Sequence, residues 1–420
     1  MSKEYAANQL LKGIFDDGSF TELNRLTEDC EVVTGYGCIS GCPCYAFVQN
    51  TEINNGAMGK IQANKLMKLY DLAEKTGCPV IGVYDSNGGH LGEGLDAVEA
   101  YSKLIAKADR LSGVIPQIAV IKGVCGASSA IWALCSDIVI AAKDAQLFLD
   151  KSGNDDNGID NGTAQIVADD INDAIEKAKQ IVCALPSNNL SAAPIADVAD
   201  GEKSNCGCVI GSIADAGSVI QLGKNEDDSA KTALARLGGL SVGMVAVNGT
   251  MSIRDCKKIA SFIGLCDAYT IPIITFVDTD GFCGCNGSLK AAAALTKAYT
   301  DATTAKVAVI NAKAYGSAFL TFAGSADEVI AVKGSIVSTI EPEAAMNIAY
   351  NDRILAGEDK AALLTEYMNS EASAEKAAEN GFIGDIVTED ELSDKLRILL
   401  DMLMSKRVST LDKKHAVTIM

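Results

Sequence analysis

The chain has 420 residues, with 36 Lys or Arg against 55 Asp or Glu, a formal net charge of −19, and 48% apolar residues. That apolar share fits one large globular chain with two or three cores, and the acidic balance argues against a broad nucleic-acid or anionic-membrane surface. Only two histidines occur, His90 and His415, which leaves little for a multi-His metal centre. His415 lies in a polar Lys413-Lys414-His415 run and reads as solvated.

Fourteen cysteines invite a zinc or disulfide reading, but their spacing does not support it. Cys30, Cys38, Cys42 and Cys44 contain no C-x2-C pair, and the last three alternate along a strand-like run, as small buried hydrophobes do. Cys206-Gly-Cys208 and Cys283-Gly-Cys285 are weak ligand sets, so no metal is expected. The opening Met1-Ser2-Lys3-Glu4 does not resemble a signal peptide, which implies unpaired thiols in a reducing cytoplasm. The best apolar stretch, 111–142, is broken by Lys122 and Asp137, so no membrane insertion is expected.

In chain order, the stretch 1–57 reads as a short helix and then a hairpin. A helical pattern at 59–75 precedes an apolar strand ending at Asp85, and the turn Asn87-Gly88-Gly89 follows. A helix at 93–110 leads to a second strand, IAVIKGVCG, and to the turn Gly126-Ala127-Ser128, which opens another helix. A third strand, SDIVIAAK, ends the first half. Residues 150–230 are polar and irregular around a helix at 169–183, with KSGNDDNGIDNG as a loop and LPSNNLSAAP with DGEKSNCG as a linker. The grammar then repeats: helix at 254–268, strand to Asp278, turn at Gly281-Phe282, helix at 287–300, strand, turn at Gly316-Ser317-Ala318, helix, strand, and a helical tail at 389–407.

The repetition is also literal. PVIGVYDSNGG matches PIITFVDTDGF at a spacing of 193, IAVIKGVCGASSA matches VAVINAKAYGSAF at 189, and SDIVIAAK matches ADEVIAVK at 190. Three matches in one order at nearly constant offset mark a duplicated domain. Apolar strands alternating with helices predict an α/β fold with parallel sheets buried on both faces, and the two copies are assigned to residues 1–215 and 216–420.

No phosphate loop and no G-x-S-x-G elbow is present. Both copies instead deliver glycine-rich turns at strand ends, where small residues allow a ligand close to backbone N–H groups. Two such turns together make an oxyanion hole, suited to a thioester enolate or a similar delocalised anion. Asp85 and Asp278 at strand ends read as turn-formers, and Trp132, the sole Trp, as core packing.

These residues carry a family resemblance over most of the chain. VVTGYGCISGCPCYAF, PVIGVYDSNGGHLGEG, SGVIPQIAVIKGVCGASSA, ALPSNN, ARLGGLSVGMVAVN, PIITFVDTDGF, AKVAVINAKAYGSAF and IEPEAAMNIAY each echo, in order, a block of one family. The chain resembles the carboxyltransferase component of biotin-dependent acyl-CoA carboxylases and decarboxylases, whose halves are crotonase-like (ββα superhelix) domains. The resemblance implies that the N-terminal half binds a CoA thioester and the C-terminal half carboxybiotin, with sites completed between subunits of a dimer or hexamer. Gly89, Ala127 and Ser128 would form the thioester hole, and Gly281, Phe282, Gly316 and Ser317 the biotin hole. Gly88, His90, Gly126, Gly281 and Ala318 would also touch ligand, although His90 reads more readily as a turn cap.

The family's usual Gly-Gly is Ala127-Ser128 here and Gly-Ser at Gly316-Ser317, so a narrowed pocket and a small acyl group are expected. No A-M-K-M-like biotin acceptor and no segment large enough for a biotin carboxylase occur. A biotin carboxyl carrier protein and either a biotin carboxylase or membrane decarboxylase subunits are therefore the implied partners. Three rival readings stand beside this one: a crotonase-type hydratase or isomerase, a degenerate scaffold subunit, and a Clp-type serine protease using Ser128 and His90.

Overall fold

The computed structural model describes residues 5–25, 31–149, 159, 163–198, 203, 208–223, 228–408 and 417. Cys30, Cys206, His415 and, apart from Ile159, the expected KSGNDDNGIDNG loop lie outside the described residues. The chain divides into two compact units, Met1–Pro194 and Ile195–Met420. The division falls before the expected 215/216 boundary because Ile195 pairs with Leu240 and the Ala196 N–H donates to the Gly239 carbonyl at 3.0 Å. The start of the second unit is thereby tied to the second sheet.

The first unit starts with α1 (Ala6–Ile14), β1 (Thr21–Leu23), and the hairpin β2 (Val32–Ile39) and β3 (Cys42–Gln49). Then come α2 (Lys60–Thr76), β4 (Val80–Ser86), α3 (Leu95–Leu111), β5 (Gln117–Gly126), α4 (Ser128–Leu134), β6 (Ile138–Ala142), β7 (Gln146–Phe148), β8 (Ile166–Ala168) and α5 (Ile171–Ala184). They build an eight-stranded sheet of order β1-β2-β3-β4-β5-β6-β8, with β7 also paired to β5. The first three strands are antiparallel, and β3 through β8 pair in parallel. The parallel strands are buried almost throughout, as their unbroken apolar runs require.

The second unit repeats this plan. It runs α6 (Val209–Ile213), β9 (Ile220–Leu222), β10 (Ala230–Leu237), β11 (Leu240–Met251), α7 (Ile253–Ala268), β12 (Ile273–Phe282) and α8 (Ser288–Asp301). β13 (Lys306–Tyr315), α9 (Gly316–Ala323), β14 (Glu328–Val332) and β15 (Ile336–Ser338) follow. Four short helices come next, α10 (Pro342–Ala349), α11 (Asn351–Leu355), α12 (Lys360–Ser370) and α13 (Ala374–Glu379), and then β16 (Asp385–Val387) and α14 (Glu389–Leu403). The sheet order β16-β14-β13-β12-β11-β10-β9, with β15 on β13, mirrors that of the first unit. The terminal helix stops short of the expected 407 because Lys406 turns away, its ammonium donating to the Thr304 carbonyl and to Asp327, each at 2.8 Å.

Duplication extends to individual side chains. Each opening hairpin turns through two residues with positive φ, Ser40-Gly41 and Gly238-Gly239. One carboxylate takes both turn N–H groups in each case, Asp16 at 2.9 and 2.9 Å, Asp215 at 2.9 and 2.7 Å. Lys65 donates to the Val32 carbonyl at 2.9 Å, and Lys258 to the Ala230 carbonyl at 2.5 Å, each tying its helix to the hairpin. Gln117 reaches the Ala108 carbonyl at the end of α3, and Lys306 the Tyr299 and Ala302 carbonyls at the end of α8. Such bonds satisfy carbonyls that a helix end leaves without an intrahelical donor.

Trp132 is fully buried in the first core, stacked on Phe47 at 4.9 Å between ring centroids and edge-on to Tyr84 at 4.8 Å. Aromatic pairs of this kind add about 0.5–1.5 kcal/mol beyond area burial. Cys283 and Cys285, on either side of Gly284, bring their sulfur atoms into contact, with Cα atoms 5.4 Å apart.

Candidate active site: two matched backbone turns

The parallel register brings the glycine turns together within each unit. In the first, Ser86 on β4 pairs with Cys125 on β5. Two residues beyond each stand Gly88 and Ala127, with φ of 114° and 50°. In the second, Thr279 on β12 pairs with Ala314 on β13, and two residues beyond stand Gly281 and Gly316, with φ of 122° and 43°. A Cβ added at Gly88 would lie 3.4 Å from the Ala127 Cβ and 3.9 Å from the Ser128 nitrogen, which measures how closely the two turns approach.

A hydroxyl locks each first turn. Ser86 Oγ accepts the Gly88 N–H at 3.1 Å and donates to the Gly88 carbonyl at 3.3 Å. Thr279 Oγ1 likewise accepts the Gly281 N–H at 3.0 Å, but the carbonyl nearest its own proton is that of Gly249, at 2.6 Å, with the Gly281 carbonyl at 3.2 Å. The next residue is bracketed from one side only. The Met58 N–H donates to Gly88 O, and the His90 N–H donates to Met58 O. Parallel pairing of that kind leaves the N–H of Gly89 directed away from Met58. In the second unit Met251 pairs with Phe282, and the Cys283 N–H donates to Met251 O at 2.8 Å, so Phe282 stands in the place of Gly89.

The second turn supplies the other donor. Ser128 is the first residue of α4 and Ser317 the second of α9, positions whose N–H groups have no carbonyl to reach within the helix. Three residues of the expected set have their N–H groups engaged within the protein. The Ala127 N–H is given to the Phe148 carbonyl at 3.1 Å, and the N–H groups of Gly88 and Gly281 are held by the two hydroxyls. Their contribution is conformational. None of the turn and loop hydrogen bonds among the described residues uses the N–H groups of Gly89, Ser128, Phe282 or Ser317.

Other sequence candidates fall as follows. Gly126 lies under an aromatic ring, since a Cβ there would meet Phe148 Cε2 at 2.8 Å. At Gly316 a Cβ would sit 2.5 Å from the Thr339 carbonyl oxygen, so glycine is required for space as well as for its φ. Ala318 is fully buried, and its side chain belongs to the core. His90 occupies the N-cap position of a short 3-10 turn, but its side chain makes no capping bond. Its Nδ1 is buried without a hydrogen-bond partner among the described residues.

The strand-end carboxylates do structural work. Asp85 pairs with Lys122 at 2.7 Å and accepts the Val124 N–H at 3.2 Å. Asp278 accepts from Asn248 Nδ2 at 3.2 Å, and burial raises its pKa, opposed by Lys313 and reinforced by Asp280. Lys313 itself pairs with Asp280 at 2.5 Å. The sequence reading missed Ser86 and Thr279 as clamps. The signal was available, because both hydroxyls stand two residues before an aligned glycine.

Two units of one topology, each presenting a strand-end pair of backbone donors, define a tandem crotonase-like protein. The carboxyl transferase domain family matches residues 4–418, and the chain belongs to that family. It is 31% identical to the methylmalonyl-CoA decarboxylase alpha subunit of Veillonella parvula over 97% of this chain and 92% of that protein. It is 30% identical to the methylmalonyl-CoA carboxyltransferase 12S subunit of Propionibacterium freudenreichii subsp. shermanii, over 91% and 83% of the two chains. A transcarboxylase 12S crystal structure, described as a hexamer with methylmalonyl-coenzyme A and methylmalonic acid bound, matches with a TM-score of 0.90 at 28% identity, over 99% of this chain and 92% of that one.

Proposed function

We propose that the chain moves a carboxyl group between carboxybiotin on a separate carrier protein and a small acyl-CoA of the acetyl, propionyl, malonyl or methylmalonyl type. The observation that carries this reading is the matched pair of turns, with φ of 114° and 50° in one unit and 122° and 43° in the other. Carboxyl transfer needs two anions stabilised in turn, an enolate and a ureido anion, and backbone N–H groups suit both. Gly89 and Ser128 face the thioester oxygen as enolate charge develops. Phe282 and Ser317 face the ureido oxygen of biotin. No side-chain base is called for, because the ureido nitrogen released by decarboxylation of carboxybiotin takes the α-proton.

A small acyl group is supported by the Cβ of Ala127 and the Phe148 ring, which crowd the first turn. We further infer that the chain is one component of a multisubunit system and self-associates. Its carrier protein is joined by a biotin carboxylase or by membrane decarboxylase subunits. No helix among the described residues is long and apolar enough to cross a membrane.

The test is decarboxylation of malonyl-CoA or methylmalonyl-CoA by the purified protein with free biotin as acceptor. Loss of the carboxyl group is expected. A folded protein that turns over no malonyl-type ester would sink the proposal.

A further inference from the structure

Matching loops leave the two units' first turns, at 90–94 and at 283–287, and each ends on a glycine with positive φ, Gly94 at 55° and Gly287 at 92°. Each also begins with the same bond, from the His90 N–H to Met58 O and from the Cys283 N–H to Met251 O, both at 2.8 Å. What holds the rest of the loop differs. Glu93 ties the first loop to α2, its carboxylate accepting the Lys60 N–H at 2.8 Å. That helix needs an outside acceptor, because its N-cap is Gly59, which has no side chain to serve. In the second unit α7 caps itself, Ser252 Oγ accepting the Asp255 N–H at 3.2 Å. Asn286 stands exposed at the position of Glu93 and makes no such bond among the described residues.

The second loop carries a pair of cysteines instead. Cys283 and Cys285 have Cα atoms 5.4 Å apart, inside the span of about 4.4–6.8 Å that a disulfide bridges. The first-unit residues at these places are His90 and Gly92, so the pair belongs to the second unit alone. Cys285 is exposed and Cys283 half-buried. A Cβ added at Gly284 between them would meet nothing within 4 Å, which leaves a small reagent room to approach.

We propose that Cys283 and Cys285 are a reversible disulfide site that takes a low-molecular-weight disulfide as oxidant, and that the bridge gives the second loop the tether Glu93 gives the first, holding the adjoining Phe282 turn in shape for biotin. The exposed Cys285 thiolate attacks the reagent's S–S bond and expels one thiolate, and the Cys283 thiolate then attacks the mixed disulfide and expels the second. The two leaving thiolates take up the two protons, so the protein loses two hydrogens and the reagent becomes two thiols. The bridge itself requires only the two cysteines, whereas its effect on biotin deepens the carboxyl-transfer reading and rests on it.

The experiment uses the full chain, treated with oxidised glutathione or with dithiothreitol, beside Cys285→Ser. Peptide mass mapping should find the segment carrying 283–285 two hydrogens lighter after oxidation, and restored by dithiothreitol. Two free thiols, or a persistent glutathione adduct, would refute the bridge. Free biotin is the probe for the second part. Its KM is measured in methylmalonyl-CoA decarboxylation, and its binding by saturation-transfer NMR without any CoA ester. Reduction should raise the biotin KM about three- to tenfold, the gain that ordering a short loop in advance allows, and leave the acyl-CoA KM within twofold. Cys285→Ser should match the reduced parent under both treatments. A parent whose biotin binding ignores the oxidant, or a Cys285→Ser protein that responds as the parent does, overturns the link to the turn. Should the parent decarboxylate no malonyl-type ester, the carboxyl-transfer reading fails while the peptide masses and the NMR comparison still decide on this site.

Discussion

Ser86 and Thr279 hold their turns alike, each hydroxyl accepting the N–H of the glycine two residues on, while Ser86 donates to the Gly88 carbonyl and Thr279 most closely to the Gly249 carbonyl at 2.6 Å. Both are fully buried or nearly so, at 1% and 0% exposure. Their side chains therefore fix the two turns without being available to a ligand.

Removing either hydroxyl should cost about 1 kcal/mol of stability and release one turn. Ser86→Ala is expected to raise the KM for the acyl-CoA about tenfold, and Thr279→Val the KM for biotin. Steady-state kinetics with each substrate varied in turn checks this. A biotin-only defect in Ser86→Ala would reverse the assignment of the two turns.

Ala127 and Gly316 occupy matching positions, yet only one is glycine. Ala127 holds φ 50° and ψ −124°, a conformation unfavourable for an L-residue. Ala127→Gly should therefore stabilise the protein by about 1 kcal/mol, strain relief exceeding the added chain entropy. Gly316→Ala should lose more than about 2 kcal/mol, because the new Cβ meets a backbone oxygen that cannot step aside. Denaturant midpoints of the two variants, moving in opposite directions, are the expected readout.

Asp278 makes stability depend on pH. Burial, ahead of the other causes, raises its folded pKa above the ordinary 3.8, so the native state binds the proton more tightly than the unfolded chain. Stability from this group rises as pH falls through the window between the raised value and 3.8, and the cost is fully present at neutral pH. Asp278→Asn, which keeps an acceptor for Asn248, should stabilise the protein near neutral pH. Its advantage should shrink as the solution is acidified toward about pH 4. Melting curves across that range test the sign, and a constant or growing advantage at acid pH would contradict it.

Trp132 is the sole tryptophan and is completely enclosed. Trp132→Ala should cost about 3–5 kcal/mol through the cavity it leaves against Phe47 and Tyr84. Calorimetry should show the loss in the first unit, with the transition of the second unit unmoved. A single shared shift would mean that the two units unfold as one.

Much of this protein is legible in its sequence because the relevant signals are local. Strand-length apolar runs, helical periodicity and glycine at strand ends are properties of neighbouring residues, and repetition at a spacing near 190 made each half a check on the other. The glycines at 88, 281 and 316 were found in this way, since positive φ selects for glycine wherever it occurs.

The sequence by itself determined the duplicated α/β plan, the place of the turns and the family. Which N–H groups remain available was decided by the tertiary structure. The Ala127 N–H goes to the Phe148 carbonyl, and the Gly88 and Gly281 N–H groups go to Ser86 and Thr279. Asp16 and Asp215 hold the hairpin turns at Ser40 and Gly239, and Lys65 and Lys258 anchor their helices to the carbonyls of Val32 and Ala230. Apart from the two hydroxyl clamps, which reach only two residues along the chain, these bonds join residues well separated in sequence that the sheet register brings together. A backbone donor is spent or spared by what lies across from it, and that neighbour is set by the fold.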